Sequence, residues 1–152
     1  MGYGKAGSFE GFCSGGGIAQ LAKMYVTEQL QMGKSPAICP TVEQLNELTA
    51  EKVCIAAREG DMLAKKIIAK CGQMLGVGLS IVMDMLNPEK IVIGSVFTRA
   101  RDLLWPEAEA VILEEALEYT RQVCEVVPCG LTESVGDIAA LTVADYYYGR
   151  SK

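Results

Sequence analysis

Six thiols and no imidazole bound the chemistry open to this chain. Its 152 residues include six cysteines and no histidine, which excludes a Ser-His or Cys-His nucleophile pair and an imidazole zinc site. Cys13, Cys39, Cys54, Cys71, Cys124 and Cys129 form no Cys-x-x-Cys pair, and Cys54 and Cys71 fall inside helical apolar patterns. They read as reduced, buried thiols rather than as a disulfide framework. Asp84 follows Ser80 by one turn on an apolar helix, where an acid must be hydrogen-bonded or reach an exposed edge. The edge is the expectation. Glu133, Ser134 and Asp137 surround a helix start whose N–H groups could face an anion, but two acids oppose a phosphate there, so Ser134 reads as a simple cap.

The elements that must position these groups follow from periodicity and punctuation. Ser14 caps an expected helix from about Ile18 to Met32, with Ile18, Leu21, Ala22, Tyr25, Val26 and Leu30 on one side. Pro36 and Pro40 lie in the segment that ends it. Thr41 and Gln44 have capping-box spacing, and Thr49 opens a short helix through Ala57. From Asp61 a long helix is expected, striped by Leu63, Ile67, Cys71, Met74 and Leu75. Its second half, Val77 to Leu86, is apolar nearly all round and reads as buried on most sides, with Gly76 and Gly78 admitting a close backbone. Asn87-Pro88 stops it.

Lys90 to Gly94 reads as a fully buried strand. A helix with Pro106 in its first turn follows, carrying Ala108, Ile112, Ala116 and Tyr119 on one face to about Thr120. Gln122 to Val127 gives a second strand, and a last helix after Ser134 turns Ile138, Leu141 and Tyr148 inward. Helix, strand, helix, strand, helix is an α/β order with one parallel pair. Two strands cannot cover both faces of Ile91-Val92-Ile93. The chain is therefore expected to be one domain, residues 1–152, with a small incomplete sheet that a partner completes. The run Tyr146-Tyr147-Tyr148 offers rings for such a subunit contact, and a homo-oligomer is the expectation.

Charge excludes other classes. Fourteen basic residues stand against 19 acidic ones, a formal charge of −5, with no Lys/Arg cluster. Nucleic-acid binding by this segment and attraction to anionic membranes are disfavoured. The apolar stretch Met74 to Leu86 is shorter than a membrane span of about 20 residues. The glycine-rich opening does not read as a signal peptide, so a cytoplasmic location is expected.

Four stretches together resemble the back half of the ROK family of sugar kinases and sugar-responsive repressors. Gly2 to Glu10, followed by Cys13-Ser14-Gly15, is similar to that family's loop Cys-x-Cys-Gly-x-x-Gly-Cys-x-Glu and the helix after it. Leu48 to Glu51 with Ala57 to Asp61 is similar to its middle helices. Gly76-Val77-Gly78-Leu79 running into Leu86-Asn87-Pro88-Glu89-Lys90-Ile91-Val92-Ile93-Gly94 is the most specific piece, and Gly136 to Val143 matches its closing helix. The resemblance implies the C-terminal lobe of the actin/hexokinase-like, ribonuclease H-like ATPase fold, with the N-terminal lobe absent.

It also implies roles. Glu10 takes the position of an acid that contacts sugar hydroxyls. Gly94 and Ser95 take the nucleotide-binding turn, where the family has a glycine run for the adenosine moiety; alternatively Gly94 only makes a tight turn, and Val96 and Phe97 stand where they can crowd a nucleotide. Met1, Tyr3 and Ser8 replace three cysteines of the family's zinc site, so no zinc is expected. The family's phosphate loops, its catalytic aspartate and its sugar-binding glutamate-histidine segment precede the part matched here. ATP and Mg²⁺ thus belong to the complete family protein, and no cofactor, no catalysis and little sugar affinity are expected of this chain alone. The alternative is the sugar-sensing, dimerising lobe of a ROK repressor, and a third reading is a purely structural subunit.

Overall fold

A computed structural model describes residues 5–131 and 134–148. Seven α-helices and two strands are described: α1 (Glu10–Cys13), α2 (Gly15–Gln31), α3 (Ala50–Arg58), α4 (Met62–Leu86), β1 (Lys90–Ile93), α5 (Val96–Glu115), α6 (Glu118–Val123), β2 (Glu125–Pro128) and α7 (Val135–Tyr148). A 3₁₀ turn, Glu43–Glu47, lies between α2 and α3. The strands pair in parallel, with Lys90 opposite Glu125 and Ile93 opposite Pro128.

Side-chain caps start three helices. Ser14 accepts from the Gly17 N–H at 3.0 Å, Thr49 from the Lys52 N–H at 3.2 Å, and Asp61 from the Ala64 N–H at 2.8 Å, satisfying donors that have no partner within the helix. The expected capping box at Thr41 is not formed, because the turn there begins at Val42, which has no side-chain acceptor. At the far end of α4, Asn87 takes the left-handed conformation (φ 44°, ψ 52°) that closes a helix before Pro88.

The core is a layer of helices with α4 at its centre, packed along α5 and against α1, α2 and α3. Small residues set the α4–α5 crossing. A Cβ added to Gly72 would lie 2.7 Å from the Leu104 carbonyl oxygen, and one on Gly76 would lie 2.6 Å from that of Ala108. Both glycines therefore let the α5 backbone lie directly on α4. Gly76 fulfils its expected role, and Gly72 is a partner that the sequence reading missed. Gly78 does something else: its missing side chain seats the Phe9 ring.

Further expectations need correction. The second half of α4 is not buried on most sides, since Ile81, Met85 and Leu86 are exposed. By length and composition α4 could cross a membrane, longer than the stretch first counted, yet half of its apolar window is buried inside this fold. β1 is not fully buried either: its residues alternate between exposed and half-buried, with Val92 59% exposed. The helix with Pro106 starts ahead of it, at Val96, and bends at Ala100 (φ −129°, ψ 25°); Tyr119 leaves its face and stands exposed on α6, while Ala108, Ile112 and Ala116 are buried as expected. Finally, Ile138, Leu141 and Tyr148 of α7 do not face a core. Leu141 is 69% and Tyr148 81% exposed, because no described element packs closely on that helix.

Candidate functional site

The residues singled out from distant parts of the sequence share one cavity. Glu10, Gly94 and Ser95 line a space of about 240 Å³ together with Phe9, Cys13 and Cys71. Glu10 opens α1, and three local devices hold that short helix. The Ser8 hydroxyl accepts from the Gly11 N–H at 3.2 Å, and the Ser14 hydroxyl donates to the Glu10 carbonyl at 2.8 Å. Gly17 lets the start of α2 touch the α1 backbone, because a Cβ there would lie 2.6 Å from the Glu10 carbonyl oxygen. Phe9 on Gly78 then fastens α1 to α4. Neither Gly17 nor Phe9 was read as a site residue, and the sequence gives no local signal for either.

On the opposite wall, Ser95 holds φ 55° and ψ −128° at the N-cap of α5. Glycine reaches this region freely and other residues at a cost. The serine thus keeps a glycine-like turn where the resemblance places a glycine run, and the strain marks a position determined by its surroundings. Val96 and Phe97 both line the Glu10 cavity beside this turn, and Phe97 also packs inward. It is 1% exposed and forms an edge-on contact with Trp105 at 6.3 Å between ring centroids. Ser95 and Val96 also border a second cavity of about 260 Å³, lined by Glu51, Cys54, Arg58 and Arg99.

An ion pair braces that second cavity. Arg58 donates from Nε and Nη2 to both carboxylate oxygens of Asp102, at 2.9 and 2.7 Å, and from Nη2 to the Arg99 carbonyl at 3.0 Å. The guanidinium holds the Asp102 carboxyl below its ordinary range. This pair ties α3 to α5 across 44 positions of sequence, so no spacing rule could have revealed it.

Two of the thiols, Cys13 and Cys71, are kept from acting as nucleophiles by burial. Burial, reinforced by Cys71 and Glu10, pushes Cys13 up to about 12, and burial with Cys54 pushes Cys71 up to about 12. Both stay protonated at neutral pH, and a thiol attacks as its thiolate. All six cysteines are free, as read from the sequence, although Cys13, Cys124 and Cys129 are only half-buried. Among the described residues lining the Glu10 cavity, Glu10 is then the single carboxylate. Asp84 does not simply reach an exposed edge. Its Oδ1 accepts from the Leu117 N–H at 3.1 Å and the Thr120 hydroxyl at 2.6 Å, so it is both half-buried and hydrogen-bonded, and it caps α6. Met1, Tyr3 and Glu133 lie outside the described residues.

The sequence matches the model of the ROK family over residues 2–145. This chain belongs to the ROK family. It is 36% identical over 104 residues to the DNA-binding transcriptional repressor Mlc of Escherichia coli (strain K12), covering 68% of this chain and 26% of that protein. It is 35% identical over 101 residues to a glucokinase of Halalkalibacterium halodurans, covering 66% of this chain and 29% of that one. Among solved structures, a ROK family transcriptional regulator homologous to E. coli Mlc matches at a TM-score of 0.66 and 34% identity, over 84% of this chain and 30% of that chain. A ROK family glucokinase from Streptomyces griseus, solved with glucose and AMPPNP, matches at 0.71 and 16% identity, over 92% and 45%, which shows the fold. The ROK chain thus has the actin/hexokinase-like fold, helix-rich with a small parallel sheet, and spans less than a third of the two curated relatives' length.

Proposed function

We propose that this chain is the C-terminal lobe of a ROK sugar kinase-like protein, forming one wall of a sugar- and nucleotide-binding cleft and performing no turnover by itself. The observation that carries this reading is the shared cavity: Glu10 and the Gly94-Ser95 turn, more than eighty residues apart, face the same space. A carboxylate accepts two hydroxyl hydrogen bonds with fixed geometry, the contact a hexose or N-acetylhexosamine offers. The Gly94-Ser95 turn stands where ROK relatives take the adenosine moiety, and Val96 and Phe97 border the same space. Phosphoryl transfer needs a metal-binding carboxylate as well as a base at the acceptor hydroxyl. With Glu10 as the one carboxylate of the cavity, these residues do not fit Mg²⁺-dependent transfer unaided.

The test is a coupled assay of ADP release with the purified chain, ATP, Mg²⁺ and glucose or N-acetylglucosamine. No hexose-dependent ADP is the expected result, and sugar-dependent consumption of ATP overturns the reading. Replacing the matching acid of the full-length H. halodurans glucokinase, as a stand-in for Glu10→Ala, should weaken sugar affinity with little loss of stability. Unchanged affinity would remove Glu10 from the site.

A second reading has support in the similarity to Mlc: the lobe senses sugar in a repressor. The readings separate on the protein that carries this lobe, through a helix-turn-helix in one case and a phosphate loop in the other. In both, the exposed apolar residues of α7 and the open strand edges are covered by a second copy. Light scattering on the purified chain should register a dimer or larger, and a monomer would exclude self-association.

A further inference from the structure

The lining of the Glu10 cavity restricts what can enter it. Among the described residues Glu10 is its one carboxylate. The Ser14 hydroxyl is already used within the chain, accepting from the Gly17 N–H at 3.0 Å and donating to the Glu10 carbonyl at 2.8 Å. Ser95 adds one hydroxyl, and Cys13 and Cys71 stay as thiols at neutral pH, weak partners for a sugar. The rest of the wall is carbon. Phe9, Ile93 and Val96 line the space and keep accessible surface, Phe9 being 51% exposed, and the buried Leu75 and Leu104 back it.

Polarity and size then act together. A hydroxyl entering such a wall gives up its bonds to water and finds no replacement, which is costly, and a free hexose carries hydroxyls all round its ring. At about 240 Å³ the cavity is also smaller than the roughly 300–1,000 Å³ of pockets that enclose a whole drug-sized ligand. It fits a fragment of a molecule, and an apolar one. Glu10 is exposed and borders the same space, so its carboxylate can accept hydroxyls that remain outside.

We infer that the cavity takes the short apolar aglycone of a glycoside, while Glu10 accepts hydroxyls of the sugar ring that carries it. This rests on the reading of Glu10 as a sugar-contacting acid and narrows the ligand from a free sugar to a substituted one.

The test uses the purified chain with methyl, propyl and butyl β-glucoside, and 1-butanol as the sugar-free probe, each titrated by saturation-transfer NMR. Butyl glucoside should bind about tenfold or more tighter than methyl glucoside, since one fully buried methylene is worth about fourfold and the series adds three. Its butyl protons should receive the strongest saturation. Val96→Thr, which puts a hydroxyl on the wall at nearly constant volume, should lower the butyl-to-methyl ratio about threefold or more. Ile93→Thr should do the same from β1, so one variant remains informative if the other folds poorly. Glu10→Gln should weaken all three glucosides and keep their ratio. Three results overturn the inference: no saturable binding of butyl glucoside, methyl glucoside or 1-butanol binding as tightly as butyl glucoside, or ratios unaltered in both threonine variants with native circular dichroism. The reading beneath it fails separately, through hexose-dependent ADP release or a Glu10→Gln chain that binds every glucoside as before.

Discussion

Helices α4 and α7 are both strongly apolar, yet only α4 is packed. Along α4, Gly72 and Gly76 bring the α5 backbone into contact, and Ile67, Ile68, Cys71, Leu75, Leu79 and Met83 are buried against its neighbours. α7 carries Leu141, Val143 and three tyrosines into solvent. The difference shows that apolar composition drives burial only where a surface of matching shape is present, because dispersion and dehydration both require close contact. It also divides α4 itself: Ile81, Met85 and Leu86 point away from α5 and stay exposed, like the residues of α7.

The contrast can be broken at several points. Phe97→Ala removes one of the largest fully buried side chains and should cost about 3–5 kcal/mol, read as a lower urea midpoint. A cost well under 1 kcal/mol would mean that the α5 face is less packed than described. Gly76→Val drives side-chain atoms into the Ala108 carbonyl and should cost about 2–3 kcal/mol. Gly78→Val should instead displace Phe9, and so alter the Glu10 wall more than global stability; sugar titration set beside urea melts checks that order.

Smaller effects sharpen the picture. Asp102→Asn should cost about 0.5–1 kcal/mol, since the pair with Arg58 is bidentate but partly exposed. The sign with pH follows from the lowered folded pKa of Asp102: its contribution is present above the unfolded value of 3.8 and is lost as pH falls through the lower folded value. Cys13 and Cys71 act in the opposite direction. Their folded values are raised from 9.0 to about 12, so the folded state holds more protons between those limits and stability should decline as pH climbs above 9. Melts across that range, compared with Cys71→Ala, test the assignment. Leu141→Ser on α7 should change the stability of a single chain by less than about 0.5 kcal/mol; a larger loss that depends on protein concentration would reveal a covering copy.

Local order was legible to the degree that it is local. Ser14, Thr49 and Asp61 cap the helices where their oxygens stand just ahead of apolar stripes, and Asn87-Pro88 ends α4. The parallel pair could be read from two β-branched runs separated by a helix. The cavity residues Glu10, Gly94 and Ser95 were identified through family resemblance, since nothing in their own spacing brings them together. Pro106 misled the reading of α5, because the helix starts ahead of it and bends at Ala100. Arg58 with Asp102 and Gly17 against α1 left no sequence pattern, because each depends on how separate elements are docked.

Sequence alone determined the caps at Ser14, Thr49 and Asp61, the stop at Asn87-Pro88, the negative charge and the family, for these rest on residue types and short-range spacing. Tertiary structure decided which apolar faces are buried, that Ser95 keeps a glycine-like turn beside Glu10, and that Asp84 is a cap. The physical reason is that burial and hydrogen-bond satisfaction belong to pairs of surfaces, and one strand of sequence specifies only one surface of each pair.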